Sequence, residues 1–149
     1  MKIRLEPVTV ASRAAVERLE TAPGQEGFVE SVAECLAEAD RRRCWRPVGV
    51  YDGDALIASP CTAFSGSTCF GRLWLDRLLI DRRFQGRGYG RAALAALLER
   101  LEREYHKKRI YLSVVEANRP AAALYESFGF RFTGERDTHG ERVMCLRTR

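Results

Sequence analysis

Arg83, Gln85, Arg87 and Arg91 interleave with Gly86, Gly88 and Gly90 in the run Arg-Phe-Gln-Gly-Arg-Gly-Tyr-Gly-Arg, residues 83–91. Glycines at this spacing let a backbone come close to a bulky anion. The amides of Gly86, Arg87, Gly88, Tyr89, Gly90 and Arg91 would then face that anion, with the positive end of a helix dipole behind them. The three arginines add charge-matched donors. The predicted chemistry is the binding of a pyrophosphate. Neither familiar phosphate loop fits: a dinucleotide fingerprint would want glycine where Arg91 stands, and the Gly-x-x-x-x-Gly-Lys-Ser/Thr pattern is absent. The competing reading is a tight strand-to-helix connection with no ligand.

Elements on both sides must hold this loop. Leu78, Leu79 and Ile80 are an extended apolar run before it. After it, Leu94, Leu97, Leu98, Leu101 and Tyr105 mark one face of a helix beginning near Arg91. Lys2–Val8 alternates as a first strand. Helices are predicted over 12–20 and 27–41, parted by Thr21-Ala-Pro-Gly24, and Val29, Val32, Cys35, Leu36 and Ala39 share one face of the second. Pro47–Tyr51 and Ala55–Ala58 read as a hairpin turning at Asp52-Gly53-Asp54. Residues 72–81 are predicted as the central strand, 109–115 as a strand and 119–128 as a short helix. Residues 130–135 and 142–147 make a closing antiparallel pair. Pro60 cannot donate to a ladder, so a bulge or early strand end is expected there. The order β-α-α-β-β-β-α-β-α-β-β, without repeat or linker, predicts a single α/β domain over 1–149.

Composition narrows the function classes. A chain of 149 residues, 46% hydrophobic and 30% charged, is a globular domain able to bury a core without staples. Its 25 basic residues exceed 20 acidic ones, a net charge of +5 that suits a ligand with several phosphates. No basic run is interleaved with aromatics, so nucleic acid is not expected as a partner. The five cysteines are odd in number and lack any Cys-x-x-Cys, which argues for a reducing compartment and against a disulfide frame or metal site. His106 and His139, the only histidines, read as solvated. Arg4 and Glu6 interrupt any leader-like stretch, and the longest uncharged run, Ala55–Gly71, is too short and too polar to span a bilayer. A cytoplasmic location is expected, with no membrane partner.

Gln85-x-x-Gly88-x-Gly90 between a strand and a helix resembles the acyl-CoA loop of the GNAT-superfamily N-acetyltransferases. Asn118-Arg119-Pro120-Ala121, followed by Tyr125 and Gly129-Phe130, is similar to that family's Asn-x-x-Ala-x-x-x-Tyr-x-x-x-Gly-Phe signature. Leu78-Leu79-Ile80-Asp81 resembles the strand that pairs with the pantetheine arm. The likeness covers nearly the whole chain. It is closest to bacterial spermine/spermidine acetyltransferases, through Trp74-Leu75-Asp76-Arg77, Lys108–Ser113 and Gly140–Met144. It implies the GNAT fold: a mixed, mostly antiparallel sheet of about seven strands, about four helices, and a splayed strand pair at the acetyl-CoA site.

Acetyl transfer from a thioester to an amine needs a neutral amine, a stabilised oxyanion and a proton for the departing thiolate. A protein that holds the partners in line needs no covalent intermediate. The resemblance assigns acetyl-CoA to Leu78, Leu79, Ile80, Arg83, Gln85, Gly86, Arg87, Gly88, Tyr89, Gly90, Arg91, Asn118, Pro120, Ala121 and Tyr125. In this assignment the backbones of Leu78 and Ile80 hold the pantetheine amides, and the Ile80 amide faces the thioester oxygen. Tyr125 is the expected general acid, since a phenol keeps its proton at neutral pH and can give it to a thiolate. Asp76 is the leading candidate for general base and substrate anchor, although Arg77 stands where the polyamine enzymes carry a second carboxylate. Glu30 and Glu34, one turn apart, are candidates for an anionic substrate groove, against the plainer reading of a solvated helix face. The expected substrate is a small amine such as spermidine or spermine, and the expected assembly, by family analogy, a homodimer. Three alternatives stay open in the same chemistry, namely an aminoglycoside, an amino acid or a protein N-terminus as acceptor. A non-catalytic acyl-CoA-binding module is the alternative from another class.

Overall fold

A computed structural model describes residues 1–20, 36–37, 40–41, 45–58, 61–65, 72–76, 78–105 and 108–148. The chain runs β1 (Ile3–Pro7), α1 (Val10–Glu17), β2 (Trp45–Asp52), β3 (Ala55–Ala58), β4 (Cys61–Ser65) and β5 (Arg72–Asp76). A 3₁₀ turn (Arg82–Phe84) then leads into α2 (Tyr89–Tyr105), β6 (Arg109–Val114), α3 (Arg119–Ser127), β7 (Arg131–Arg136) and β8 (Arg142–Arg147). Residues 36, 37, 40 and 41 are helical; the rest of the helix expected over 27–41, Glu30 and Glu34 included, lies outside the described residues.

The strands form one sheet in the order β1-β2-β4-β5-β6-β8-β7, with β3 beside β2. Among the described strands only β5 and β6 pair in parallel, so the sheet is mixed and mostly antiparallel, with β5 at its centre. The hairpin turn falls at Asp52-Gly53-Asp54, as expected. Two features of the strand layout were not anticipated. Cys61–Ser65 is a strand in its own right, pairing with β5 along its whole length and with the first three residues of β2. The strand expected over 72–81 ends at Asp76, and Leu78 and Leu79 join no ladder; Ile80 makes a lone antiparallel bridge to Ala58.

The cause of that early end sets up everything downstream. β5 and β6 are in register only at Leu73–Ile110 and Trp74–Tyr111. Past those two positions β6 stays with β8 while β5 leaves it. The backbone from Leu78 to Ile80 is thereby free of a β6 ladder. The core fills one face of this divergent pair. Leu94, Leu97 and Leu101 of α2 pack on Leu73 and Leu75 of β5 and on Ile110 and Leu112 of β6, all at most 2% exposed. The three-to-four spacing of the helix leucines and the alternation of the strand residues supply both surfaces. A second cluster on Val16, Leu19 and Leu36 seats Leu79.

Candidate functional site

Three segments meet where β5 and β6 part. Leu78–Ile80, the turn and loop from Phe84 to Gly90, and the start of α3 from Asn118 to Tyr125 enclose a cleft of about 250 Å³. Of the residues expected to hold a cofactor, Leu78, Leu79, Ile80, Gln85, Gly86, Gly88, Tyr89, Gly90, Asn118, Pro120, Ala121 and Tyr125 line it. A larger hollow, about 600 Å³, lies by Pro7, Arg46 and Tyr105 at the far end of α2, away from the glycine loop.

The loop has the geometry its glycines permit. Gly86 and Gly88 sit at φ 77° and 83°, in the left-handed region that a side chain resists, and nothing lies within 4 Å of where a Cβ on Gly86 would stand. The bond from the Ala92 amide to the Gly88 carbonyl, 3.2 Å, opens α2. Helix geometry leaves the amides of the turn before it without intrahelical partners, so they are available to an anion.

Side chains fix this loop from two directions. Gln85 Nε2 donates to the Ile80 carbonyl at 2.9 Å, closing residues 80–85 on themselves. The Tyr89 hydroxyl donates to Asp52 Oδ2 at 2.5 Å, and the Lys2 amide donates to Oδ1 at 2.8 Å. The loop is thus pinned to the β2–β3 turn, whose Asp52 is in turn held by the residue before β1. The Tyr89 hydroxyl, and then the Lys2 amide, hold the Asp52 carboxyl below its usual range. A depressed carboxylate stabilises the fold above its unfolded pKa and loses that contribution as pH falls through the folded one. The difference in melting temperature between the protein and Asp52→Asn should therefore be full above about pH 4 and shrink below it, as thermal unfolding across pH 3–7 would read.

Of the three arginines, Arg83 and Arg87 both approach the Phe84 ring, and Arg83 and Arg91 also have polar partners within the chain. Arg83 Nε donates to Asp81 at 2.8 Å. Arg91 reaches Ser127 Oγ at 3.1 Å and lies over the Phe128 ring. Arg87 is exposed, 5.9 Å from the Phe84 ring centroid. Asn118 caps α3, its Oδ1 accepting from the Ala121 amide at 3.4 Å, with Pro120 in the first turn where its missing N–H costs nothing. That cap aims α3 so that Tyr125, 8% exposed, enters the cleft edge-on to Phe130. Asp76 ends β5 in register with Cys61, on the strand that leads to the cleft.

Other chemistries find less support among the described residues. They contain no cluster of His, Cys, Asp and Glu able to hold a metal. Burial pushes the Cys145 thiol up, despite the opposing hydrogen bond with Tyr111 and the nearby arginines, so this thiol is not primed as a nucleophile. No described helix is long and apolar enough to cross a membrane.

Two residues escaped the sequence reading. Asp81 is fully buried beside the loop. The Ser113 hydroxyl, on β6 just past its last contact with β5, is buried without a hydrogen-bond partner among the described residues. No spacing rule marks a lone strand serine. An orphaned hydroxyl costs stability, so Ser113→Ala should raise the melting temperature, by about 1 kcal/mol in unfolding free energy, read by thermal denaturation.

The profile of the acetyltransferase (GNAT) family matches residues 13–130. The spermine/spermidine N(1)-acetyltransferase of Bacillus subtilis is 40% identical over 148 residues, 97% of each chain. Among solved structures, spermidine N-acetyltransferase from Vibrio cholerae, in complex with CoA and spermine, superposes with a TM-score of 0.76 at 18% identity, covering 98% of this chain and 95% of that one. The aminoglycoside acetyltransferase AAC(6')-Ib, in complex with coenzyme A, gives 0.79 at 18% identity over 98% and 95%. At such identities the structural likeness speaks for the fold.

Proposed function

This chain belongs to the acetyltransferase (GNAT) family, and we propose that it transfers the acetyl group of acetyl-CoA directly to a primary amine of a small polycation such as spermidine or spermine. The observation that carries this reading is the cleft, in which the glycine loop, the unladdered backbone of Leu78–Ile80 and the Tyr125 ring come together. The 40% identity to a spermine/spermidine enzyme supports the choice of acceptor.

The residues present fit the cosubstrate. The open cradle at Gly86 and the start of α2 suit a pyrophosphate, and the apolar side chains of Ile80, Ala121 and Leu124 along the cleft suit a pantetheine arm. When bound, acetyl-CoA supplies an activated acyl group on a thiol leaving group. The chain's own part is to align it along Leu78–Ile80 and to exclude water with Phe84 and Leu124. Tyr125 holds a proton beside the leaving sulfur, and Asp76 draws the ammonium of the acceptor and takes its proton. The net positive charge answers the phosphates of the cosubstrate. A homodimer, by family analogy, and a cytoplasmic location, from the cysteine usage, are part of the proposal, and light scattering after size-exclusion chromatography tests the dimer.

Gly88→Ala should raise the acetyl-CoA KM about tenfold, because a Cβ at φ 83° costs roughly 1–2 kcal/mol and turns the loop amides away from the conformation that faces an anion. Steady-state kinetics at saturating amine would read it. The test of the function itself is coenzyme A release with spermidine, spermine, lysine and an aminoglycoside. Turnover confined to the polyamines supports the proposal. Turnover with another amine alone would replace the acceptor, and coenzyme A binding without any turnover would favour a sensing module.

A further inference from the structure

Asp81 is the one charged residue in the described core, 1% exposed, and nothing in the proposed chemistry uses it. Its carboxylate accepts three hydrogen bonds. The Arg83 amide and Arg83 Nε reach Oδ1 at 3.0 and 2.8 Å, and the Glu20 amide reaches Oδ2 at 3.2 Å. Its own amide donates to the Ile57 carbonyl at 2.8 Å, and its carbonyl accepts from the Phe84 amide at 2.9 Å. The Arg82 amide returns to the Glu20 carbonyl at 2.8 Å. The carboxylate thus ties the segment after α1 to the 3₁₀ turn, while the main-chain amide of the same residue holds β3. That turn delivers Phe84, which lines the cleft and meets the Tyr89 ring edge-on at 5.7 Å, and then Gln85, which bonds back to Ile80.

We propose that Asp81 is a positioning residue for acetyl-CoA: through Arg83 and the 3₁₀ turn it fixes where the glycine loop stands relative to the Leu78–Ile80 backbone. The inference rests on the reading of the cleft as the acetyl-CoA site. Burial by itself would raise the pKa of this carboxyl, but the bonds from Arg83 and the Glu20 amide outweigh it and hold the group below its usual range. The carboxylate form is thus the one that does the tying. Charge-assisted bonds of this kind are about twice as strong as neutral ones, which suits a residue that must hold a loop against a multiply charged ligand.

The experiment is titration calorimetry with coenzyme A, together with steady-state kinetics, on the full chain and on Asp81→Asn, Arg83→Gln and the double variant. Asp81→Asn should weaken coenzyme A binding about tenfold and raise the acetyl-CoA KM in parallel, with kcat and the amine KM held within about twofold. If Asp81 acts through Arg83, the double variant should bind no more weakly than the worse single one, a non-additivity that general destabilisation does not produce. Equal binding by the protein and Asp81→Asn, or strict additivity, overturns the proposal and leaves the cleft's function standing. Failure of the unaltered protein to bind coenzyme A overturns both. Should Asp81→Asn not fold, Arg83→Lys decides, since lysine keeps the charge but puts a methylene where Arg83 presents Nε. A loss of coenzyme A affinity in that variant supports the proposal, and undiminished affinity overturns it.

Discussion

Tyr125→Phe should lower turnover roughly a hundredfold while leaving the acetyl-CoA KM nearly unchanged, since a positioned proton donor contributes on the order of 10²–10⁴ to rate and little to ground-state binding. Phenylalanine keeps the ring, so the edge-on contact with Phe130 and the cleft wall survive. Only the hydroxyl is lost. Steady-state kinetics with spermidine would show the fall in kcat, and coenzyme A titration would show the retained affinity. A variant that turns over like the parent would assign the proton to another donor. Unchanged kcat with weakened binding would make Tyr125 a wall of the cleft instead.

Asp76→Asn carries the second large expectation. An amine acceptor arrives as an ammonium, and in the proposed mechanism the carboxylate of Asp76 is both its electrostatic anchor and its proton acceptor. We expect kcat/KM for spermidine to fall about thirtyfold to a hundredfold, with the acetyl-CoA KM within about twofold of the parent. Equal losses for amine and acetyl-CoA would point to a purely structural place for Asp76 on β5.

Much of this was legible in the residues. The Gly86-x-Gly88-x-Gly90 spacing announced a loop before a helix, and residues 119–128 announced the short helix that carries Tyr125; the cap by Asn118 was not read. Local chemistry decides such features, and local chemistry is what a sequence displays. The strand ends were harder. Leu78-Leu79-Ile80 is apolar and β-prone whether or not it joins a ladder, and the departure of β5 from β6 depends on pairing partners far away in the chain. Cys61–Ser65 hid as a strand because it is short and runs straight from Pro60 into the Ser/Gly-rich stretch that follows. The partner of Arg83 was hidden for another reason. Charge spacing gathered Arg83, Arg87 and Arg91 around one ligand, whereas Arg83 is engaged by an aspartate two residues upstream whose burial no local pattern reveals.

The divergence of β5 and β6 gives this sheet an interior seam: two neighbouring strands that share two registered positions and then open. An outer edge can be guarded by charge or by shortness, but a seam at the centre of a fold is completed by whatever lies along it. A ligand with peptide-like amides is such a filler. Its binding then counts as a share of folding, because a molecule at a hundred times its Kd adds about 2.7 kcal/mol to unfolding. The abundance of acetyl-CoA around the protein would in this way set how firmly the two halves of the sheet are held together, and so how long the chain survives between turnovers.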